Sequence, residues 1–261
     1  MKIKVLLYCV LAASVLAGCK VSKDEKGTIV KVNPEFTIDL FEQLGEPRIF
    51  QFKVATIEKQ ECTNYSISTY STLTFNQVAL NVNDLVPPID CIEGEAPATT
   101  ISDVGLLPLG YFYLFINLKN TIKNDGLLKV YQDSIAVDLN SRDGLEMVHE
   151  VLYRIPETVI WGYTAYNNKE AGAGYANSFL TELTGMTEPA EFQQGYYGYF
   201  KLDEAGDLIL SPAPNHTYFK TFLFSYHGDV KGLEDLLYSY RSDSIGTGVE
   251  FAIFTGSGKT L

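Results

Sequence analysis

Through the first half of the chain, apolar and polar positions alternate over short runs; apolar spacing typical of helices occurs only in the second half. Phe36-Thr37-Ile38-Asp39-Leu40 and Ile49-Phe50-Gln51-Phe52-Lys53-Val54 alternate with period two, and Tyr65 to Phe75 is rich in Tyr, Thr, Ser and Ile. Successive side chains of a strand point to opposite faces, so each run predicts a strand with one buried face. Tyr111 to Leu118 predicts a strand that is apolar on both faces for part of its length. Asn124-Asp125-Gly126 has the residues of a tight hairpin turn and leads into Leu127 to Tyr131, and Ser134 to Leu139 alternates again. Pro87-Pro88 and the stretch from Glu93 to Thr100 read as loops, and Asn140 to Gly144 is a polar break.

After the break, Leu145 to Leu152 predicts a short helix or a connecting strand, and Glu157 to Tyr163 predicts a strand. Ala176, Phe179, Leu180 and Leu183 recur at helical spacing within 167–184, with Gly185 placed as a C-cap. Gly195 to Lys201 predicts an aromatic strand, Asp203 to Asp207 a turn, and Leu208 to Leu210 and Thr217 to Tyr226 further strands. Leu233 to Arg241 predicts a helix with Leu233, Leu236, Leu237 and Tyr240 as its apolar stripe, and Val249 to Phe254 predicts the last strand. The expected architecture is therefore two domains: a tether over 19–33, an all-β antiparallel sandwich over 34–140, and an α+β domain over 145–261. With the extra hairpin set aside, the second domain runs strand, helix, strand, strand, helix, strand, the order of a ferredoxin-like split unit. The start Gly110-Tyr111-Phe112-Tyr113, followed by a hairpin, resembles immunoglobulin-type modules of bacterial surface proteins, which implies an immunoglobulin-like sandwich. It departs from antibody-type domains in having no Trp there, since the single Trp is Trp161.

The first residues form a separate segment. Lys2 and Lys4 precede an apolar run from Val5 to about Leu16. A bilayer span needs roughly 20 apolar residues, so this shorter run, closed by small residues, reads as a signal peptide over 1–18. Leu16-Ala17-Gly18-Cys19 resembles the lipobox of bacterial lipoproteins. The resemblance implies cleavage before Cys19, a diacylglycerol on its sulfur and a further acyl chain such as palmitate on its new amine. One acyl chain holds a protein marginally, whereas two or more anchor it stably. Lys20, where enteric-type lipoproteins retained in the inner membrane have Asp, points to the outer membrane, facing the periplasm or the surface. Lys23-Asp24-Glu25 is similar to the tether signals of surface-exposed lipoproteins in Bacteroidota, and reads equally as a solvated charged tether.

A hydrophobic content of 46% with 20% charged residues is that of a folded chain. The formal charge of −12 becomes more negative by two once Lys2 and Lys4 are removed, and no Lys/Arg run follows the tether. Nucleic-acid binding, which needs basic patches against phosphate, is disfavoured, and membrane attachment falls to the lipid. Cys9 leaves with the signal peptide and Cys19 carries lipid, so Cys62 and Cys91 remain as an even pair in an oxidising compartment. A disulfide between them would stabilise by roughly 3 kcal/mol. The alternative is two buried thiols; two Cys without nearby His do not complete a zinc set.

Motifs that suggest chemistry fail on spacing. Gly256-Ser257-Gly258-Lys259-Thr260 resembles part of a phosphate-binding loop, but Ile253 stands where the first Gly belongs and the sequence gives no helix after it. It reads as a solvated tail. His149-Glu150 would need a second His at Tyr153 for a zinc-protease helix, and His216 and His227 lie on or beside predicted strands. Asp138, Asn140, Asp143 and Glu146 hint at a calcium loop, but Arg142 and Asp143 stand where a ligand and a Gly are required. There is no Gly-x-Ser-x-Gly elbow and no plausible Cys-His pair, and no pair of the 32 acidic residues stands out for glycoside chemistry. No catalytic residue, metal ligand or cofactor is assigned. The remaining candidates are aromatic: Tyr196, Tyr197, Tyr199 and Tyr226 as ligand-facing residues, because Tyr brings contact area and a polar tip at low entropic cost. The competing reading has these rings filling a small core and pairing across strands. The expected function is a lipid-anchored envelope protein acting as a non-enzymatic binding or adhesion module for a protein or glycan. The alternatives are an accessory structural lipoprotein and an envelope hydrolase with a carboxylate-based site.

Overall fold

The computed structural model describes residues 32–243 and 248–261. Leu16 to Lys20 and Lys23-Asp24-Glu25, with the lipidation expected at Cys19, lie outside the described residues. The described chain is mostly β. Its first part has ten strands: β1 (Phe36–Gln43), β2 (Ile49–Cys62), β3 (Ser66–Leu73), β4 (Gln77–Val86), β5 (Glu93–Gly105), β6 (Gly110–Leu118), β7 (Ile122–Val130), β8 (Ser134–Leu139), β9 (Leu145–Met147) and β10 (Val151–Tyr153). They form a four-stranded sheet, β5-β2-β1-β9, and a six-stranded sheet, β10-β8-β7-β6-β4-β3. The alternation in the sequence becomes alternation in burial. Ile38, Leu40, Phe52, Val54, Leu114 and Ile116 are buried in one core, while Thr37, Asp39, Tyr111 and Tyr113 lie on outer faces.

Several expectations are corrected. The sandwich is not purely antiparallel: β4 runs parallel to β6, and β9 parallel to β1. Leu145 to Leu152 forms the short strands β9 and β10, one in each sheet. Glu93 to Thr100 is no loop; it opens β5, an edge strand, where Pro97 is tolerated at a register shift opposite Lys59. Asn124-Asp125-Gly126 does not turn and lies inside β7. The chain reverses earlier, at Lys119 and Asn120, with φ of 49° and 55°, closed by the Thr121 N–H donating to Leu118 O at 3.0 Å. Two successive positive φ values are what a type I′ hairpin requires. Asn124 is fully buried and exchanges hydrogen bonds with the Asp143 backbone, and a Cβ at Gly126 would stand 2.2 Å from Asp138 O. These residues serve close packing, although their sequence suggests a turn.

The second part contains β11 (Val159–Tyr166), α1 (Lys169–Met186), β12 (Glu188–Pro189), β13 (Gly195–Tyr196), β14 (Phe200–Leu202), β15 (Leu208–Leu210), β16 (Tyr218–Ser225), α2 (Val230–Asp243) and β17 (Glu250–Thr255). The sheet order is β12-β16-β11-β17 with every neighbour antiparallel, and β13-β14-β15 forms a separate small sheet. Asn168 caps α1 by accepting from the Glu170 and Ala171 N–H groups. Gly185 is inside this helix and Thr187 is its C-cap, contrary to expectation. Gly195 to Lys201 is not one strand, because Gly198 turns the chain at φ 82° between β13 and β14. One face of the large sheet carries Ile160, Phe222, Phe251 and Ile253 against Phe179 and Leu183 of α1 and Leu233, Leu236 and Leu237 of α2.

The other face has a different cover. Val159 and Trp161 pack with Tyr197, Phe200, Leu202 and Leu208 of the small sheet region and with Leu44 and Ile155 from the end of the sandwich. Asn33–Leu261 is one compact unit, with this core at the joint between its two parts. An ion cluster lies beside it. Glu42 falls at an inward position of β1, 7% exposed, where an apolar residue would ordinarily sit. Arg154 reaches it through Nε at 3.1 Å and NH2 at 2.7 Å, and Arg48 through NH1 at 3.2 Å. Arg48 also donates to Gly256 O at 2.9 Å, tying the sandwich to the C-terminal turn. That turn is not simply a solvated tail. Ser257 to Thr260 are exposed, but Gly256 is buried, and a Cβ there would stand 1.9 Å from Pro156 O. No helix among the described residues is long and apolar enough to cross a membrane.

Candidate functional site

On the face opposite the helices, the small sheet leaves part of β11 and β17 uncovered. Trp161 and Tyr163 share this face with Phe254 and Glu250, as the register pairs Trp161 with Phe254 and Tyr163 with Ala252. They floor a cleft of about 480 Å³, walled by Tyr199, Leu210 and the segment from Ser211 to His216. That size and a mostly apolar lining with a few convergent polar groups are typical of a small-ligand site. Trp161 is 2% exposed and stacks on Phe254 at 5.8 Å between centroids, with Tyr199 at 5.7 Å. The Tyr199 hydroxyl accepts the Leu44 N–H at 3.1 Å, so the sandwich fixes one wall.

The polar groups gather at Glu250. The Tyr163 hydroxyl donates to its Oε1, and His216 Nε2 stands 3.7 Å from its Oε2. Burial first, and then the Glu250 carboxylate, pushes the Tyr163 phenol up to about 12, so it stays a neutral donor at physiological pH. Burial also raises Tyr199. His216 Nδ1 is buried without a hydrogen-bond partner. Glu250 is the one acidic residue among the described residues that line the cleft. Glycoside hydrolysis ordinarily uses two facing carboxyl groups, and the described lining holds one.

The residues singled out from sequence are distributed unevenly. Tyr199 lines the cleft. Tyr196 and Tyr197 are 9% and 4% exposed and offer no face to a ligand, which corrects that expectation. Tyr197 packs between Phe200 and Phe192 and donates to Gln193 O, whereas Tyr196 stacks on His149 at 3.8 Å. Tyr226 is half-buried and donates to Asp229 O, where it helps to fix the entry to α2. Cys62 and Cys91 form the disulfide, joining the end of β2 to the loop before β5. His149 Nδ1 lies 2.9 Å from Asp39 Oδ1, which makes His149 a link between β1 and Tyr196. Asp138 pairs with Lys129, Asn140 with Asp125, and the Asp143 backbone with Asn124. Among the described residues, no three His, Cys, Asp or Glu side chains are grouped to hold a metal ion.

Trp161, Tyr163, His216, Glu250 and Phe254 were not chosen from sequence. The one available signal was local: Trp161 and Tyr163 alternate on a predicted strand that also bears Gly162. That pattern places both on one face but does not say which face stays open. No family model matches the chain, and no curated protein or solved structure shows significant similarity to it.

Proposed function

We propose that this chain is a bacterial envelope lipoprotein, exported by residues 1–18, anchored through lipid on Cys19 and acting outside the inner membrane as a non-enzymatic binding module. The observation that carries the binding reading is the aromatic cleft over β11 and β17, with a single carboxylate, Glu250, in the described lining. The lipobox sequence Leu16-Ala17-Gly18-Cys19 supports the anchor, and the Cys62–Cys91 disulfide accords with an oxidising compartment. In fold, we read the first part as an immunoglobulin-like sandwich and the second as a ferredoxin-like unit. The order β17-β11-β16-β12, antiparallel throughout, with both helices on one face, supports the latter.

A second reading, an accessory lipoprotein of a larger envelope assembly, is favoured by a different surface. Phe75, Leu106, Leu109, Tyr111 and Tyr113 are each more than half exposed. The register brings the β3–β4 and β5–β6 loops to one end of the six-stranded sheet, so these exposed apolar residues lie towards that end, and exposed apolar surface of this kind marks protein contacts.

Cell fractionation of wild type and Cys19→Ser, with protease added to intact and lysed cells, tests the anchor and its side. Loss of membrane association in the variant is the expected result. A variant that still sediments with membranes overturns the anchor. Hydrolysis of glycan or peptide libraries by the purified protein overturns the non-enzymatic reading, and stoichiometric co-purification of one membrane protein moves the weight to the accessory role.

A further inference from the structure

We infer that the cleft over β11 and β17 selects a ligand bearing an ammonium group on a compact apolar skeleton, a deepening that rests on reading this cleft as the binding site. Charge excludes one class of ligand. The described residues lining the cleft include no Lys or Arg, and their formal charge at pH 7 with neutral His is that of Glu250 alone, on a chain of formal charge −12. An anion would enter against that field with no Lys or Arg in the described lining to receive it.

The carboxylate is placed but not saturated. An ionised carboxylate offers about four acceptor positions on its two oxygens. Tyr163 occupies one on Oε1, and the 3.7 Å to His216 Nε2 exceeds hydrogen-bond length. The Tyr163 bond holds the headgroup against the floor, and the Glu250 side chain is half exposed, so a donor arriving from solvent can reach it. The surroundings favour a positive donor over a neutral one. Tyr163, Tyr199 and Phe254 present rings on the floor and wall, and ring faces attract cations. Leu210, Pro212 and Pro214 then supply the apolar wall for the carbon skeleton. A sugar hydroxyl could also donate to Glu250 but would gain nothing from ring faces as a charge.

The chain's single Trp lies in this floor, so its fluorescence reports on the cleft. Titrating the protein with cyclohexylammonium, cyclohexanol, cyclohexanecarboxylate and glucose at pH 7 separates the classes. The ammonium is expected to bind at least about tenfold tighter than the alcohol, a preference that added salt weakens. The carboxylate is expected not to bind. Glu250→Gln, which keeps an acceptor for Tyr163, is expected to bring the ammonium down to the level of the alcohol. Equal binding of ammonium and alcohol, or preferential binding of glucose, overturns the ammonium assignment while leaving the cleft a binding site. If none of the four perturbs Trp161 in the folded protein, the binding reading of the cleft falls with it.

Discussion

Replacing Glu42 by Ala is expected to cost about 3–5 kcal/mol of stability, the usual penalty for breaking a buried ion pair from one side. The carboxylate is 7% exposed and receives close donors from two guanidiniums: Arg154 through Nε and NH2, at 3.1 and 2.7 Å, and Arg48 through NH1, at 3.2 Å. Each hydrogen bond to a charged group contributes about 1.5–3 kcal/mol net, but bonds to one carboxylate are coupled and do not add. Two features limit the cost. The Arg48 and Arg154 side chains are 16% and 21% exposed and can turn partly towards water, and Arg48 keeps its bond to Gly256 O. Glu42→Gln retains an acceptor and should lose less, about 1–3 kcal/mol. Replacing Glu42, Arg48 and Arg154 together by Leu and Met should bring stability back towards the wild-type value, because no unpaired charge then stays buried. Urea unfolding followed by Trp161 fluorescence is the direct assay, since this residue is 2% exposed in the core of the same joint. A Glu42→Ala protein within about 1 kcal/mol of wild type would refute the argument. It would mean that water already screens the cluster.

Gly162→Ala should disrupt the large sheet, because a Cβ there would stand 1.9 Å from Ala252 O and 2.8 Å from the Phe222 ring; normal expression with unchanged thermal unfolding would contradict this. Alkali should unfold the protein in a defined window. Burial, ahead of neighbouring charges, raises the Tyr163 and Tyr197 phenols to about 12 and pushes Tyr196 higher still. Groups raised in this way favour the folded state while protonated. Their contribution is intact below the ordinary tyrosine value of about 10 and is lost as pH rises through 12. Phenolate absorbance should show a late population that ionises together with loss of near-ultraviolet dichroism. A single population titrating with the fold intact would refute it.

The sequence revealed strands wherever alternation met a buried face. Ser134 to Leu139 matches β8 residue for residue, and the stripes Phe179, Leu183 and Leu233, Leu236, Leu237 became the helix faces of one core. Failures came where a residue's local chemistry serves a distant contact. Gly126 looks like a turn residue, but its small size lets β7 approach β8. Glu93 to Thr100 has the composition of a loop yet is recruited as an edge strand by the long β2. The candidate site was hidden for the same reason. The aromatic run at 195–200 is dense in sequence, and most of it is core. Glu250 and His216 are separated in sequence by about a third of the second part and meet through the pairing of β11 with β17 and the return of the 211–216 segment over that face.

The cleft also bears on what the sandwich contributes. A four-stranded sheet with both helices on one face leaves its other face open to solvent, which for β11 would expose the Trp161 ring. Here the end of the sandwich and the small sheet cover most of that face, through Leu44, Ile155, Phe200 and Leu208, and stop short of Tyr163 and Glu250. The cleft is the uncovered remainder, and one wall, Tyr199, is held by the Leu44 N–H and packs on Phe41 of β1. The ion cluster at Glu42 sits beside this joint and ties Arg48 to Gly256, just past the end of β17. The shape of the cleft is therefore set by the docking of the two parts. Loosening the joint at Glu42 should widen the cleft before either core melts, so ligand affinity in Glu42→Gln should fall further than its loss of global stability explains.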